Sequence, residues 1–378
     1  MARGIWSGVA ETTSSALLEW QAFQPRGVHR FMSHTAVLIP GDGIGPEVAA
    51  AAQFVLAEAG AEIEWVERHA GLAAVERGAT ETLPAETVDA VAKYRLALKG
   101  PCTTPIGEGF TSVNVALRKR LNLFGAVRPV RSLAGVPTRF SDPGVDIVIV
   151  RENTEGLYAG IENTITDGVV TSLKVVTEGA SRRIARFAMD YALTRGRRKV
   201  TVLHKANIMK LGDGLFLRCC REEAAAYEGK VEFESRIIDA GCMAIVQKPE
   251  DFDVLLCENL YGDVMSDLCA GLVGGLGVTP GANFGGDHCA VFEAVHGSAP
   301  DIAGQGVANP LALIMSSVML LRHLAASTGD EQCTLIADRI RNAYNAALIA
   351  GEKTRDLGGE LGTQAFAEAV SRHLTVSA

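Results

Sequence analysis

The chain has 378 residues, 48% of them hydrophobic and 21% charged, so it can bury a sizeable core and is not a disordered protein. At about 150 residues per domain, this length predicts two domains or one large discontinuous unit. The 36 Lys and Arg residues against 44 Asp and Glu residues give a formal net charge of −8, which argues against bulk electrostatic binding of nucleic acid or of an anionic membrane surface.

Residues 1–32 contain neither a strand pattern nor a clear amphipathic helix. An apolar run at 16–18 is too short for the core of a secretion signal, and Glu11 and Glu19 weaken a faint likeness to a transit peptide. We therefore expect a disordered N-terminal extension, with Met32 as an alternative start.

From residue 36 onward, short β-branched runs alternate with longer helical stretches, which predicts an α/β fold. The predicted strands are 36–39, 62–66, 95–98, 145–150, 199–203, 231–238 and 254–257. The predicted helices are 46–59, 85–92, 181–194, 214–227, 241–247 and 260–272, and the chain is mainly helical from 310 onward. Residues 161–176 break the alternation, because two β-branched runs flank the turn pair Asp167-Gly168. This segment predicts a projecting strand pair that contacts a second subunit.

The eight cysteines include no Cys-x-x-Cys pair and mostly lie in apolar surroundings, which is typical of reduced, buried thiols. They predict a cytoplasmic protein, or one of the mitochondrial matrix if the source is eukaryotic. The longest uncharged stretches, 268–286 and 302–321, contain Gly, Pro, Asn or Gln through much of their length. They would make poor membrane spans, and we expect a soluble chain.

A glycine-rich turn, Gly41-Asp42-Gly43-Ile44-Gly45-Pro46, follows the first predicted strand and opens a helix. The spacing Gly-x-Gly-x-x-Gly of the Rossmann dinucleotide fingerprint occurs nowhere in the chain. The turn is therefore either a simple strand-to-helix connection or part of a nucleotide site of another architecture.

Three arginines lie near positions where an α/β fold binds ligands. Ser112, Asn114 and Arg118 fall within two helical turns, Arg128 follows ten residues later, and Arg151 ends a buried strand. A guanidinium fork matches a carboxylate with two parallel hydrogen bonds, so three arginines could hold a polycarboxylate. A single arginine is more often structural: Arg118 could belong to a solvated helix face and Arg128 to a structural ion pair.

Two carboxylates, Asp263 and Asp267, stand four residues apart and share one face of a predicted helix. A hard divalent cation such as Mg²⁺ or Mn²⁺ would offset their repulsion, and Asp239, at the end of a strand, could be a third oxygen ligand. Exposed acidic pairs with this spacing are also common, so the spacing alone leaves both interpretations open.

Several motifs occur together in one order along the chain. They are Gly41–Pro46, the segment 100–131, Arg-Glu-Asn-Thr-Glu-Gly-Leu-Tyr at 151–158, His-Lys-Ala-Asn at 204–207, Asn-Leu-Tyr-Gly-Asp at 259–263 with Asp267, and 296–304. In this combination the chain resembles the β-decarboxylating dehydrogenases of 2-hydroxy acids, the isocitrate/isopropylmalate dehydrogenases, from about residue 35 to the C-terminus. Within the family it is most similar to the members that oxidise isocitrate with NAD.

The resemblance implies a two-domain α/β fold that is not a Rossmann fold. A large cofactor-binding domain would comprise 33–124 and 275–378, and a smaller domain would comprise 125–274. A β arm at about 157–177 would lie at a dimer interface. In the family, Lys205 and Asp239 reach into the partner subunit's site, so the resemblance implies a homo-oligomer, at least a dimer, with shared active sites.

The resemblance also implies the roles of the site residues for the substrate isocitrate. Ser112 and Asn114 would meet the γ-carboxylate, where isopropylmalate enzymes carry apolar residues. The full set that would bind the substrate carboxylates is Ser112, Asn114, Arg118, Arg128 and Arg151. Mg²⁺ or Mn²⁺ would be bound by Asp239, Asp263 and Asp267.

The implied reaction is oxidative decarboxylation to 2-oxoglutarate and CO₂. The C2 hydroxyl would lose its proton to Lys205 or to water near it while hydride passes to NAD, and the metal would polarise the new carbonyl. Tyr158 would then protonate the enolate carbon. Without the other motifs, Tyr158 and Lys205 could be ordinary surface residues.

The segment 296–304 resembles the family's cofactor loop. Asp301 beside Ile302 favours NAD, because a carboxylate can accept hydrogen bonds from the ribose hydroxyls but repels a 2′-phosphate. The other implied cofactor-binding residues are Thr104, Glu293, His296, Gly297, Ala299 and Asn309. Two alternatives stay open: a relative acting on homoisocitrate, isopropylmalate or tartrate, and a non-catalytic regulatory subunit.

Overall fold

The structure is a computed structural model that describes residues 33–103, 112–142 and 144–374. The predicted N-terminal extension and Thr104 lie outside these residues.

Twelve strands are present in the described ranges. They are β1 (His34–Ile39), β2 (Ile63–Glu67), β3 (Leu96–Lys99), β4 (Gly125–Arg131), β5 (Asp146–Glu152), β6 (Gly156–Thr166), β7 (Val169–Val175), β8 (Lys199–His204), β9 (Glu232–Ile237), β10 (Val254–Cys257), β11 (Pro280–Phe284) and β12 (Ala290–Ala294). Ten of them form one sheet in the order β2-β1-β3-β12-β11-β4-β5-β10-β8-β9, and β6 pairs with β7 in a separate sheet.

Helices cover both faces of the large sheet. The α-helices in the same ranges are α1 (Gly45–Glu58), α2 (Leu72–Glu76), α3 (Ala85–Tyr94), α4 (Val113–Arg120), α5 (Glu178–Thr194), α6 (Gly212–Ala224), α7 (Ile238–Gln247), α8 (Asn259–Val273), α9 (Leu311–Thr328), α10 (Glu331–Ile349) and α11 (Thr363–Arg372).

The outer strands of the large sheet are parallel and the central ones are antiparallel. β1 pairs parallel with β2 and β3, and β10 pairs parallel with β5 and β8. At the centre, β11 runs antiparallel to both β12 and β4, and β4 runs antiparallel to β5. A sheet with this centre is not a Rossmann sheet, in which the core strands are parallel.

The predicted strands and helices are largely confirmed, but β4, β11 and β12 escape prediction. β4 reads Gly-Ala-Val-Arg-Pro-Val-Arg and β11 reads Pro-Gly-Ala-Asn-Phe, so charge, Pro and Gly mask their periodicity. Both strands lie at the sheet centre, where pairing on both sides overrides weak β-propensity. One boundary prediction is wrong: the strand before Asp239 ends at Ile237, and Asp239 lies in the first turn of α7.

The sheet order separates the strands by chain region. β1, β2, β3, β11 and β12 form one half of the sheet, and β4, β5, β8, β9 and β10 form the other. These halves correspond to the two groups of residues that the sequence assigns to two domains. The division into domains itself stays a prediction.

The arm is confirmed as a strand pair that is separate from the large sheet. Its turn lies at Asp167-Gly168, where Gly168 has φ +77°, a conformation that favours glycine. Ile165 and Val170 are 64% and 62% exposed, respectively, although both are apolar. The arm therefore presents an apolar surface that the described part of the chain leaves exposed.

Among the described residues, one helix is long and apolar enough to cross a membrane, and this helix is α9. Of the residues in Leu311–Thr328, 61% are buried within the protein. α9 packs on β11, β12, α1 and α10, as a core helix does.

Candidate active site

Arg151 is held on β5 by residues of α8. Its side chain is 1% exposed, and its Nε and Nη2 atoms donate to Oδ1 of Asn259 at 3.0 and 2.7 Å. Its Nη1 atom donates to Asp263. Gly262 makes this approach possible, because a Cβ there would lie 2.5 Å from the Arg151 side chain.

Arg128 reaches the same helix from the neighbouring strand β4. Its Nη1 atom donates to Oγ of Ser266 at 2.5 Å. Its guanidinium lies 3.8 Å from a carboxylate oxygen of Asp263 and 3.7 Å from one of Asp267. Burial and the neighbouring arginines Arg151 and Arg118 lower the pKa of Arg128 to about 10. The local field therefore favours a further negative charge beside these arginines.

Arg118 belongs to a buried cluster around Glu293. Glu293 on β12 accepts from Lys99 at 2.7 Å, from Arg118 at 3.2 Å and from the amide of Asn283 at 2.7 Å. Burial tends to raise the pKa of Glu293, but Lys99 and Arg118 outweigh it and hold the pKa far below its ordinary value. The carboxyl therefore stays ionised and fixes both cations.

A cavity of about 150 Å³ joins the two arginine groups to the predicted cofactor loop. Asn114, Arg118, Arg128, Glu293 and His296 are among the residues that line it. The Oδ1 atom of Asn114 is buried without a hydrogen-bond partner in the described part of the chain. Ser112 lies at the N-cap position of α4, two residues before Asn114. The structure thus brings three of the five predicted substrate residues to one cavity, while Ser112 and Arg151 are not among its lining residues.

Tyr158 and Asp263 are directly hydrogen-bonded. The Tyr158 hydroxyl donates to Oδ2 of Asp263 at 2.5 Å, and the Arg151 guanidinium lies 5.0 Å from the centre of the Tyr158 ring. Partial burial and the Asp263 carboxylate raise the pKa of Tyr158. Burial raises the pKa of Asp263, but Arg151, the Tyr158 hydroxyl and Arg128 lower it further, so it lies below the ordinary range. At neutral pH, Tyr158 is therefore a protonated donor and Asp263 an anion.

The two residues predicted to serve a second subunit form their own pair. Lys205 Nζ lies 2.5 Å from Oδ1 of Asp239, whose side chain is 69% exposed. The Lys205 hydrogen bond lowers the pKa of Asp239. In the described ranges, neither residue has a hydrogen bond or ion pair with the arginine group or with Asp263 and Asp267. Across the described residues, the carboxylates of Asp239, Asp263 and Asp267 do not form a group close enough together to bind one ion.

Asp213 and Lys174 support the site, and sequence reasoning missed both. Asp213 is 2% exposed and accepts from the backbone N–H of Lys205 and from Lys174 Nζ, each at 2.7 Å. Lys174, on β7 of the arm, also lies 3.6 Å from Glu258, which accepts from the N–H of Tyr261 at the start of α8. The arm is therefore tied both to Lys205 and to the helix that carries Asp263. No motif or spacing marks these residues in the sequence.

The glycine-rich turn supports the predicted cofactor loop. The N–H of Ile44 donates to the carbonyl of Ser298 at 2.9 Å, and the hydroxyls of Thr103 and Ser298 lie 2.5 Å apart. A Cβ at Gly43 would lie 2.0 Å from that carbonyl oxygen, and Gly43 has φ +60°. The turn needs glycine because the loop packs directly on its backbone.

The predicted cofactor residues differ in their accessibility. His296 Nδ1 contacts the Gly297 carbonyl at 2.9 Å, and its Nε2 atom is buried with no partner in the described chain. Burial lowers the pKa of His296, which favours the neutral ring. The Ile302 side chain is partly buried and Asp301 is exposed. Ala299, between them and His296, has φ +39°.

Asn309 has a structural role in this state. Its amide donates to Asp356 at 2.9 Å, and its Oδ1 atom accepts from the N–H of Leu311 at 3.0 Å, where α9 begins. It therefore orients the start of the buried helix α9.

The comparisons with known proteins agree on one family. The model of the family described as isocitrate/isopropylmalate dehydrogenase matches residues 35–370. The chain is 50% identical over 341 residues to isocitrate dehydrogenase [NAD] catalytic subunit 5, mitochondrial, of Arabidopsis thaliana, covering 90% of this chain and 88% of the relative. It is 48% identical over 342 residues to isocitrate dehydrogenase [NAD] subunit alpha, mitochondrial, of Homo sapiens, covering 90% of each.

A solved structure extends the match to three dimensions. The crystal structure of isocitrate dehydrogenase from Methylococcus capsulatus superposes with a TM-score of 0.83 at 48% identity, covering 90% of this chain and 99% of that chain. The predicted resemblance and fold class are therefore confirmed. On its sequence and its fold, this chain belongs to the isocitrate/isopropylmalate dehydrogenase family.

Proposed function

We propose that the chain is an NAD-dependent isocitrate dehydrogenase, which converts isocitrate to 2-oxoglutarate and CO₂ with Mg²⁺ or Mn²⁺. The observation that carries this proposal is the convergence of Arg118, Arg128 and Arg151, each at most 8% exposed, beside Asp263 and Asp267. Buried arginines without a full set of bidentate partners suit a ligand with several carboxylates. The printed names of the relatives from Arabidopsis and human support the same reaction.

The substrate has three carboxylates, and two of the three buried arginines, Arg118 and Arg128, line the cavity. Arg128 makes its ion pairs at 3.7 and 3.8 Å, which leaves its guanidinium free to form closer bonds to a substrate carboxylate. Asn114 lines the cavity at α4, and its side-chain NH2 group can donate a hydrogen bond to a carboxylate but not to an isopropyl group. This polarity favours isocitrate over isopropylmalate.

The residues fit a divalent cation and a nicotinamide cofactor. Asp263 and Asp267 offer only carboxylate oxygens, the donors that Mg²⁺ and Mn²⁺ prefer, and Asp239 of a second subunit would complete the set. A cation held there would supply Lewis-acid polarisation of the substrate's C2 oxygen. NAD would accept the hydride, with Asp301 at its ribose hydroxyls and the buried Nε2 of His296 available to it.

Side chains of the protein take part in both proton transfers of the reaction. The proton of the C2 hydroxyl passes to water near Lys205, which a second subunit contributes, or to the Lys205 amine itself, which can accept it only in its neutral form, outside its ion pair with Asp239. After CO₂ has left, Tyr158 delivers its hydroxyl proton to the enolate carbon, and its raised pKa keeps that proton available at neutral pH. Asp263 orients the Tyr158 hydroxyl through their 2.5 Å hydrogen bond.

The assembly is at least a dimer. The exposed apolar residues of the arm support this, as do Met243 on α7 and Val264 on α8, which are 58% and 55% exposed. The curated relatives are named as subunits and as mitochondrial. We therefore favour the mitochondrial matrix over the cytoplasm for a eukaryotic source, and both like and unlike partner subunits fit the exposed surfaces.

A parallel assay tests the proposed function. NADH or NADPH formation is followed spectrophotometrically with isocitrate, homoisocitrate and isopropylmalate, each with NAD and with NADP, with and without a chelator. We expect turnover with isocitrate and NAD that the chelator abolishes and Mn²⁺ restores. A higher kcat/KM with another acid would show that isocitrate is not the preferred substrate. Absence of turnover with every acid would favour a regulatory subunit.

A further inference from the structure

A second cavity, of about 230 Å³, lies on the opposite face of the sheet from the candidate active site. On β4, Arg128 points towards Ser266, while its neighbours Pro129 and Arg131 line this cavity. Successive side chains of a strand point to opposite faces of a sheet. On β11, likewise, Gly281 lies beside Arg128 and Phe284 lines the cavity. The cavity is therefore separate from the substrate arginines.

Positive charge dominates its rim. The arginines that line it are Arg131, Arg195, Arg197, Arg322 and Arg341, and the carboxylate that lines it is Asp146.

The surrounding aspartates do not balance these arginines. Arg197 pairs with Asp146 at 2.6 Å and with Asp253 at 2.9 Å, and Asp338 is shared by Arg322 at 2.7 Å and Arg341 at 3.3 Å. Arg131 and Arg195 have no ion pair within the described ranges. Five guanidinium groups thus face three carboxylates, which creates a field that attracts anions.

The interior of the cavity is aromatic and apolar. Tyr344 is 3% exposed, and Phe284, Met315 and Met319 form adjacent wall positions. Tyr191 lies under Arg195, whose guanidinium is 5.9 Å from the ring centre. Burial raises the pKa of both tyrosines although several arginines surround them. Their hydroxyls stay protonated and have no hydrogen-bond partner in the described chain, so both can donate to a ligand.

We propose that this cavity binds a small organic phosphate whose phosphate group meets Arg131 and Arg195 and whose aromatic or apolar part enters between Tyr191, Phe284 and Tyr344. Guanidinium forks bind phosphate oxygens bidentately, and the aromatic walls suit a planar carbon group. An inorganic anion would leave the apolar walls unused, and a neutral ring would leave the arginines unused. A wide groove of about 1530 Å³ borders the cavity and shares Asp146, Arg195 and Arg197 with it.

The ligand would connect the two halves of the sheet. The cavity is lined by β4, β5 and α5 on one side and by β11, α9 and α10 on the other. Binding across these elements stabilises the folded protein in proportion to ligand occupancy.

Phenyl phosphate is a direct probe, because it joins a dianion to one aromatic ring. Isothermal titration of the full chain in phosphate-free buffer should show one saturable site per subunit. The double variant Arg131→Gln/Arg195→Gln should weaken binding about tenfold or more, because both unpaired cations are lost. Arg186→Gln removes a matched exposed arginine, paired with Glu223 at 3.0 Å and outside the cavity, and should leave binding unchanged. Unchanged thermal unfolding of all variants would show that they fold.

Other ligands and variants locate the site. Phenol and inorganic phosphate should each bind more weakly than phenyl phosphate by about tenfold. Arg128→Gln and saturating NAD should leave the titration unchanged, since the active site lies on the other face. Four results would each overturn the proposal. They are an affinity of Arg131→Gln/Arg195→Gln for phenyl phosphate equal to that of wild type, loss of phenyl phosphate binding in Arg128→Gln, displacement of phenyl phosphate by NAD, and no saturation of wild type by about 10 mM phenyl phosphate.

Discussion

The carboxylate of Asp263 joins Tyr158 to Arg151: its Oδ2 atom accepts from the Tyr158 hydroxyl at 2.5 Å, and its Oδ1 atom accepts from Arg151. One predicted metal ligand thus holds both the proposed proton donor and a substrate arginine. The contact therefore keeps three functional groups in place before the substrate arrives.

Removal of the Tyr158 hydroxyl tests its role as proton donor. In Tyr158→Phe we expect kcat to fall by about 10²- to 10⁴-fold, because the enolate carbon loses its positioned acid. KM for isocitrate should change little, since the arginines remain. Tyr227→Phe, which removes a hydroxyl bonded to Asp190 on the exposed face of α5, is the matched control and should retain full kcat. An unchanged kcat in Tyr158→Phe would show that another group supplies the proton.

The buried Glu293 cluster predicts a pH-dependent loss of stability. In Glu293→Gln, Lys99 and Arg118 lose their carboxylate, and we expect the free energy of unfolding at pH 7 to fall by about 3–5 kcal/mol. The exposed Glu81, paired with Arg120, provides the control: Glu81→Gln should cost less than about 1 kcal/mol.

The sign of the pH effect follows from the lowered pKa of Glu293. Its stabilising contribution is present above the pKa of the unfolded chain, about 4.3, and is lost as the pH falls towards the lower pKa of the folded state. Urea unfolding at pH 7 and in the acidic range gives the free energy of unfolding of wild type and of Glu293→Gln. The difference between the two free energies should become smaller as the pH falls. A difference that stays constant with pH would contradict the assignment.

Loss of a single metal ligand should lower the affinity for the cation and leave the stability of the fold nearly unchanged. Asp267 has a side chain that is 61% exposed, so Asp267→Asn should leave the thermal unfolding temperature nearly unchanged. The Mn²⁺ concentration for half-maximal activity should rise about tenfold or more, because one charged oxygen ligand is lost. Asp89→Asn, on the exposed face of α3, is the control. Equal Mn²⁺ dependence in all three proteins would exclude Asp267 as a ligand.

Cofactor choice should follow the charge at 301. In Asp301→Lys/Ile302→Tyr, the ribose hydroxyls of NAD lose a carboxylate acceptor and a 2′-phosphate gains a cation. We expect the ratio of kcat/KM for NAD over NADP to fall about tenfold or more. Glu331→Lys, an equivalent charge reversal at the start of α10, should leave the ratio unaltered. An unchanged preference for NAD would show that Asp301 does not bind the ribose hydroxyls.

The exposed arm should control both assembly and turnover. Ile165→Asp/Val170→Asp places two charges on apolar positions that are 64% and 62% exposed. We expect dissociation in sedimentation velocity and loss of turnover, because Lys205 and Asp239 would no longer reach a second subunit. Leu335→Asp, at a position that is 56% exposed on α10, should change neither. A dilution-stable, active monomer would refute shared active sites.

Local patterns were sufficient to predict most elements of this fold. The β-branched runs of β1, β5 and β10 and the Asp167-Gly168 turn carry their own signals, because periodicity and turn chemistry act over a few residues. β4 and β11 carry no such signal. They are strands because partners on both sides satisfy their backbone groups at the centre of the sheet.

The sequence by itself determined which residue types were available for the chemistry: three arginines, a tyrosine, a lysine and aspartates in recognisable motifs. Only the tertiary structure decided how they are grouped. It brought Arg128 and Asp263 within 3.8 Å although they are far apart in sequence, and it left Lys205 with Asp239 in a separate exposed pair. It also buried Glu293 against Lys99 and brought Asp213 to accept a hydrogen bond from the backbone N–H of Lys205. These relationships depend on long-range packing and on burial, which determine both distance and charge state and which no local pattern encodes.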